Sequence, residues 1–198
     1  MENNYEEHQT RADRIQKDID TLGSYSSVKT IGCTRYTYTK EFAQARDYIK
    51  REMEQAGLQV REDAVGTVIG RLEGTNPELP IIMTGSHFDT VKTGGRYDGA
   101  AGVVAALEVA RTMHDEGFRP KRSIEFVALP EEEGGRFGSG LMASRAMCGK
   151  LYPDELEHRD ENGVTLAEAM KEYGLDPNAI ETAQRKPEDI EAFLELHI

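Results

Sequence analysis

The chain has 198 residues, enough for one domain with a real core, and its 38% hydrophobic and 30% charged content fits a soluble globular protein rather than a disordered one. With 36 acidic against 24 basic residues the formal charge is -12, which disfavours non-specific attraction to nucleic acid or anionic lipid and draws in cations. Two cysteines, Cys33 and Cys148, make neither a disulfide framework nor a paired metal clip, no apolar run could span a bilayer, and the polar start resembles no leader, so the expected location is the reducing cytoplasm.

Residues 5–22 carry Ile15, Ile19 and Leu22 at helical spacing ahead of Gly23 and a serine cluster, which predicts a first helix ending there. A second begins after Thr39, a good cap, presents Phe42, Ala45, Ile49 and Met53 on one face and stops at Gly57. From Leu58 the pattern turns strand-like, with LQVRE, AVGTVIGRLEG and PIIMTGSH each bounded by glycine, proline or asparagine. AGVVAALEVARTM reads as an alanine-rich helix, SIEFVALP as a short buried strand and SGLMASRAM as a short helix. VTLAEAMKEYGL adds a helix with a Thr165/Glu168 capping box, and EAFLELHI reads as a last strand that includes His197. Its apolar character so near the chain end leaves two options, a strand that closes a sheet edge or a fragment of something longer. Strand alternating with helix predicts an α/β fold, its sheet covered by helices and its reactive groups gathered at the carboxyl ends of strands.

Those ends hold the acidic and imidazole residues. His87 closes one strand, Asp98 follows in the glycine-rich stretch TGGRYDG, and Glu131, Glu132 and Glu133 close another. Neutral imidazole and carboxylates are what zinc, manganese or cobalt take as ligands, and His87, Asp98, Glu132, Glu133 and His197 supply such a set. In extended chain, residues i and i+2 share a face, so Asp89 can fix the His87 tautomer. Glycines let the loop fold back until Asp98 nears His87, where it could bridge two ions. Of the neighbouring glutamates at the PEEEGGRF strand end, one can bind metal while the other takes a proton from water. Taken singly, each piece also has a plain reading: a hydrogen-bonded loop histidine, a solvated acidic turn, a glycine turn. Met142 and Met147 read as core, Arg96 and Arg136 as surface or counter-ions, and His8, His114 and His158 as surface residues. What points to a site is the coincidence of two histidines and two acidic clusters at strand ends of one sheet.

GSHFDTVKTGGRYDGAAGVVAALEV, EEEGGRFGSGLMASRAM and FLELHI closely resemble the metal-dependent amidohydrolases that include N-carbamoyl-L-amino acid hydrolases, allantoate amidohydrolases and β-ureidopropionases, within the zinc aminoacylase and carboxypeptidase superfamily. The resemblance covers about Thr34 to Ile198. It implies a three-layer zinc-peptidase-like sandwich, with a mixed, mostly parallel sheet and helices on both faces. It also implies two divalent metal ions: His87 and His197 on the first, Asp98 bridging, Glu133 on the second. Glu132 is then the general base, with Glu131 as the frame-shifted alternative, and Asp89 supports His87. The implied reaction is cleavage of a linear amide or ureido C–N bond of a small molecule by metal-activated water, with ammonia and carbon dioxide following from a ureido substrate. Relatives of this kind are about twice as long, so residues 1–198 are expected to be the N-terminal part of the catalytic domain, without the lid or dimerisation domain and without the last metal-binding histidine. A homo-oligomer or a complementing chain stays open, as do a dipeptidase or aminoacylase activity and a non-catalytic metal-binding module.

Overall fold

The computed structural model describes residues 9–29 and 31–198. Helix α1 (Ala12–Ser24) buries Ile19 and Leu22 as the spacing requires, but it starts at Ala12 and runs through Gly23. The expected first turns at residues 5–8, and His8 with them, lie outside the described residues. Helix α2 (Lys40–Gln55) begins where Thr39 accepts the Phe42 amide hydrogen bond, and Phe42, Ala45, Ile49 and Met53 form its buried stripe. Strands β1 (Gln59–Glu62), β2 (Val68–Leu72) and β3 (Ile81–His87) come next, followed by helix α3 (Ala100–Asp115) and strand β4 (Ile124–Leu129). Helix α4 (Met142–Met147), helix α5 (Leu166–Tyr173) and strand β5 (Ile190–Leu194) complete the chain, with short 3-10 turns between them. The Thr165/Glu168 capping box forms as expected at the start of α5.

The five strands make one sheet in the order β1-β2-β4-β3-β5. β2 pairs antiparallel with both β1 and β4, while β3 runs parallel to β4 and β5, so four strands share one direction and β2 alone opposes them. Helices α2 and α3 lie on the sheet, α2 over β1 and β2 and α3 over β3 and β4, and α1 rests on α3. On the other face α4 meets Met83 and Leu129 across an apolar cavity. The mixed α/β sheet with helices expected from the sequence is therefore the one observed, its four strand pairings two parallel and two antiparallel.

Two contacts carry this scaffold to the carboxyl end of β3. Phe88, one residue past the strand, stacks on Phe42 of α2 with ring centroids 4.2 Å apart. The fully buried Arg35 guanidinium donates to the carbonyl oxygens of Phe88 and Leu22, both at 2.6 Å, tying that same turn to the end of α1. The expected last strand is shorter than EAFLELHI. Beyond the Thr84 and Leu194 register pair, the Ser86 hydroxyl donates to the Glu195 carboxylate, and the Leu196 carbonyl crosses α3 where a Cβ on Gly102 would lie 2.2 Å away. His197 therefore sits past the strand, in a segment that turns over the start of α3. Among the described residues no helix is long and apolar enough to cross a membrane.

Candidate metal centre

Parallel pairing sets His87 beside Leu129, so β3 and β4 release their chains side by side at one edge of the sheet. His87 is fully buried. Its Nδ1 lies 3.1 Å from the Asp89 carbonyl oxygen and 3.5 Å from the Asp89 carboxylate. Asp89 thus faces the ring through its backbone as well as its side chain. Its two carboxylate oxygens also accept the backbone N–H groups of Glu132 and Glu133, at 3.1 and 3.2 Å. Sequence spacing points to the first of these roles and misses the second, in which Asp89 joins the two strand ends.

The far side of the ring meets the remaining candidates. His87 Nε2 is 3.1 Å from His197 Nε2, 3.6 Å from an Asp98 oxygen and 3.7 Å from a Glu132 oxygen. His197 Nε2 is 3.9 Å from the same Asp98 oxygen. Two sets of donor atoms fall within 4.8 Å of one another: His87, Glu132 and His197, and His87, Asp98 and Glu133. His87 is common to both sets, whereas the sequence reading gave the bridging position to Asp98 and kept Glu132 free of metal. The cradle beneath the ring is Gly99, with φ 60° and no room for a side chain, since a Cβ there would lie 2.4 Å from the imidazole.

Glu131 stands outside both sets. It is buried, its backbone φ is 51°, and this left-handed turn redirects the chain as it leaves β4. Its N–H donates to the Thr37 hydroxyl, its Oε1 accepts the Phe137 N–H, and its Oε2 is buried without a hydrogen-bond partner. The Gly134-to-Leu141 loop is held against it by the Leu141 N–H to Glu132 carbonyl and Met142 N–H to Glu131 carbonyl bonds. Arg136 is mostly buried and pairs with Asp160 at 3.1 Å while donating to the Thr37 carbonyl, so it is a counter-ion rather than a surface residue. Arg96 does lie near the surface, beside Asp20, and His114 is exposed, while His158 is half-buried. The Thr37 contacts of Glu131 and Arg136 carried no signal in the sequence because they join segments far apart in the chain.

The electrostatics favour positive charge at this place. Burial works against a charged His87, but its hydrogen bond to Asp89 and the charges of Asp89, Glu132 and Asp98 outweigh that and raise its pKa to about 9. Glu133 is raised as well, by burial and by its hydrogen bond with Asp98. Burial, with the Asp89 charge adding to it, pushes Glu131 up to about 7. A field that holds a proton on a buried imidazole also holds a cation, and two imidazoles with three carboxylates form a donor set suited to a divalent transition metal.

Comparison with known proteins places this geometry in context. The family model described as Peptidase family M28 matches residues 67–193, more than half of the chain. The N-carbamoyl-L-amino-acid amidohydrolase of Paenarthrobacter aurescens is 48% identical over 189 residues, which is 95% of this chain and 46% of that protein. The allantoate amidohydrolase of Bacillus subtilis (strain 168) is 44% identical across 91% of this chain and 43% of its own length. A crystal structure of a hydantoinase/carbamoylase family amidase from Burkholderia ambifaria superposes with a TM-score of 0.87 at 30% identity, over 96% of this chain and 46% of that one. The chain thus spans a little under half the length of the relatives it matches.

Proposed function

This chain belongs to peptidase family M28, and we propose that His87, Asp98, Glu132, Glu133 and His197 form a two-metal centre for hydrolysis of linear amide or ureido C–N bonds, of the N-carbamoyl amino acid or allantoate type. The observation that carries this reading is the convergence of the His197 imidazole and three carboxylates on the buried His87 ring at the carboxyl ends of β3 and β4. His87 and His197 would hold one ion, Glu133 the other, with Asp98 between them. Zinc, manganese and cobalt all suit these donors. When bound, such ions polarise the scissile carbonyl and lower the pKa of water.

The chain's own residues do the rest. Glu132 is the general base: it takes a proton as water adds to the carbonyl carbon and returns it to the nitrogen as the C–N bond breaks. With a ureido substrate the products are the free amine, ammonia and carbon dioxide. Asp89 is a positioning residue that fixes the His87 ring and, through the Glu132 and Glu133 amides, the acidic turn opposite. A second reading, peptide or acylamino acid cleavage, is favoured by the description of the matched family.

The test separates binding from turnover. Metal-stripped chain titrated with zinc, manganese or cobalt should take up two ions, with a large loss of affinity in His87→Ala and Asp98→Ala. Ammonia release from N-carbamoyl amino acids and allantoate, set beside amine release from a dipeptide and an N-acyl amino acid, assigns the bond. Absence of binding by the intact chain, or binding unaltered in His87→Ala, would sink the metal reading.

A further inference from the structure

The geometry points to Thr37 as a positioning residue for the acidic turn, held in a strap that sets how far the turns carrying His87 and Glu133 stand from each other. This role rests on the metal centre proposed above and adds to it a residue outside both donor sets. The strap is the short segment 33–37, which ends at the turn that opens α2. At its start Cys33 and Gly94 exchange both backbone hydrogen bonds, and the Thr34 hydroxyl accepts the Thr93 N–H at 2.8 Å. In its middle the Arg35 N–H donates to the Thr90 hydroxyl at 2.8 Å, and the Arg35 carbonyl accepts the Thr90 N–H at 3.1 Å. At its end the Thr37 hydroxyl accepts the Glu131 N–H at 3.0 Å, and the Thr37 carbonyl accepts from Arg136 at 2.8 Å. One segment thus grips both the chain leaving β3 and the chain leaving β4.

The backbone of Glu131 is why the grip matters. A φ of 51° is a left-handed conformation that a residue with a side chain adopts at a cost, and it persists only where the surroundings fix it. Its carboxylate and carbonyl accept the Phe137 and Met142 N–H groups, but both donors belong to the same connection between β4 and α4. Thr37 acts from elsewhere in the molecule. Together with the Asp89 carboxylate, which accepts the next two amides, it fixes three consecutive N–H groups of the turn from outside. Thr37 is itself immobile: it is fully buried, Thr39 donates to the Tyr36 carbonyl through both N–H and hydroxyl, and the Tyr38 ring packs on Phe42 and Tyr173. Without the Thr37 acceptor the turn is free to relax, and Glu132 and Glu133 swing away from His87.

Three substitutions separate this role from a merely structural one. Thr37→Val keeps the shape and removes the acceptor, and Thr37→Ser keeps the acceptor. Thr112→Val removes a buried α3 hydroxyl that has no hydrogen-bond partner among the described residues. In the metal-free chain, Thr37→Val should speed amide exchange at Glu131, Glu132 and Glu133 by at least about tenfold and leave β1 and β2 unchanged. Zinc affinity should fall about 10- to 100-fold in Thr37→Val and stay within about twofold in Thr37→Ser and Thr112→Val, whatever each does to the thermal melt. Equal losses in Thr37→Ser or Thr112→Val would overturn the assignment by tracing the effect to side-chain shape or general destabilisation. Parental exchange or parental affinity in Thr37→Val would overturn it too. Should Thr37→Val fail to fold, the parent decides: its Glu131 amide, though outside helix and strand, should exchange at least about a hundredfold more slowly than in an unfolded peptide, and an unprotected amide refutes the strap. Exchange is read without metal, so a parent that takes up no zinc would sink the hydrolytic centre, and exchange at the turn would still support or refute the strap.

Discussion

At the scale of single residues, His87 depends on what lies under its ring. Gly99 and Gly138 both have positive φ, 60° and 72°, yet only a Cβ at Gly99 would strike the imidazole, while nothing lies within 4 Å of one at Gly138. Alanine at either position should cost about 1 kcal/mol of stability from backbone strain. Only Gly99→Ala should also weaken zinc binding, by about 10- to 100-fold, because the ring must move. Calorimetric titration of both variants beside their thermal melts checks this, and equal zinc affinities would remove the packing argument. The glutamates of the acidic turn divide in the same way. Glu133→Gln should lower zinc affinity by about tenfold or more, whereas Glu131→Gln, whose carboxyl faces Thr37 and Phe137, should leave it within about twofold. Residue types and spacing pointed to His87, Asp98, Glu132, Glu133 and His197 as one cluster, and the donor atoms do converge. What the spacing could not reveal is which residue stands at the centre of it, since that depends on the left-handed turn at Glu131 and on Gly99.

At the scale of elements, legibility followed local chemistry. The Thr39 cap of α2 and the capping box of α5 form as read, because each is decided within four residues of chain. The end of β5 was read too far, because what stops it is remote: Ser86 takes Glu195 and α3 lies under Leu196. The β1–β2 turn offers an element-level test. Asp63 accepts the Val65 and Thr67 amides, yet burial outweighs those bonds and raises its pKa. A carboxyl whose folded pKa is raised costs nothing below its unfolded pKa of about 3.9, and its penalty grows as pH climbs to the folded pKa and persists above it. Asp63→Asn keeps the accepting oxygen without the charge. It should therefore be more stable than the parent at neutral pH, with the difference fading as pH falls below about 4. Urea unfolding of both forms across that range measures it, and a variant less stable at neutral pH would show that the amide bonds need the full charge.

At the scale of the whole molecule, the helical layer is locked by ions that hydrophobic patterning does not reveal. Asp18 of α1, Glu52 of α2 and Glu108 of α3 are all buried, and Arg111 of α3 reaches Asp18 and Glu52, the latter at 2.7 Å. Tyr48 donates to the same Asp18, and Arg14 holds Glu108 at 2.8 Å. These acids stand at helical spacing within the buried stripes, Asp18 between Ile15 and Leu22 and Glu52 three residues from Ile49, so a hydrophobic pattern passes over them only because they are charged. Removing Arg111 would leave two carboxylates buried without their shared partner, and Arg111→Met should cost about 3–5 kcal/mol in urea unfolding. If the loss reflects uncompensated charge rather than packing, the triple variant Arg111→Met/Asp18→Asn/Glu52→Gln should recover much of it, because neutral partners no longer require the guanidinium. A triple variant as unstable as Arg111→Met alone would instead assign the cost to the shape of the arginine side chain between the three helices, and the network would then count as packing rather than as electrostatics.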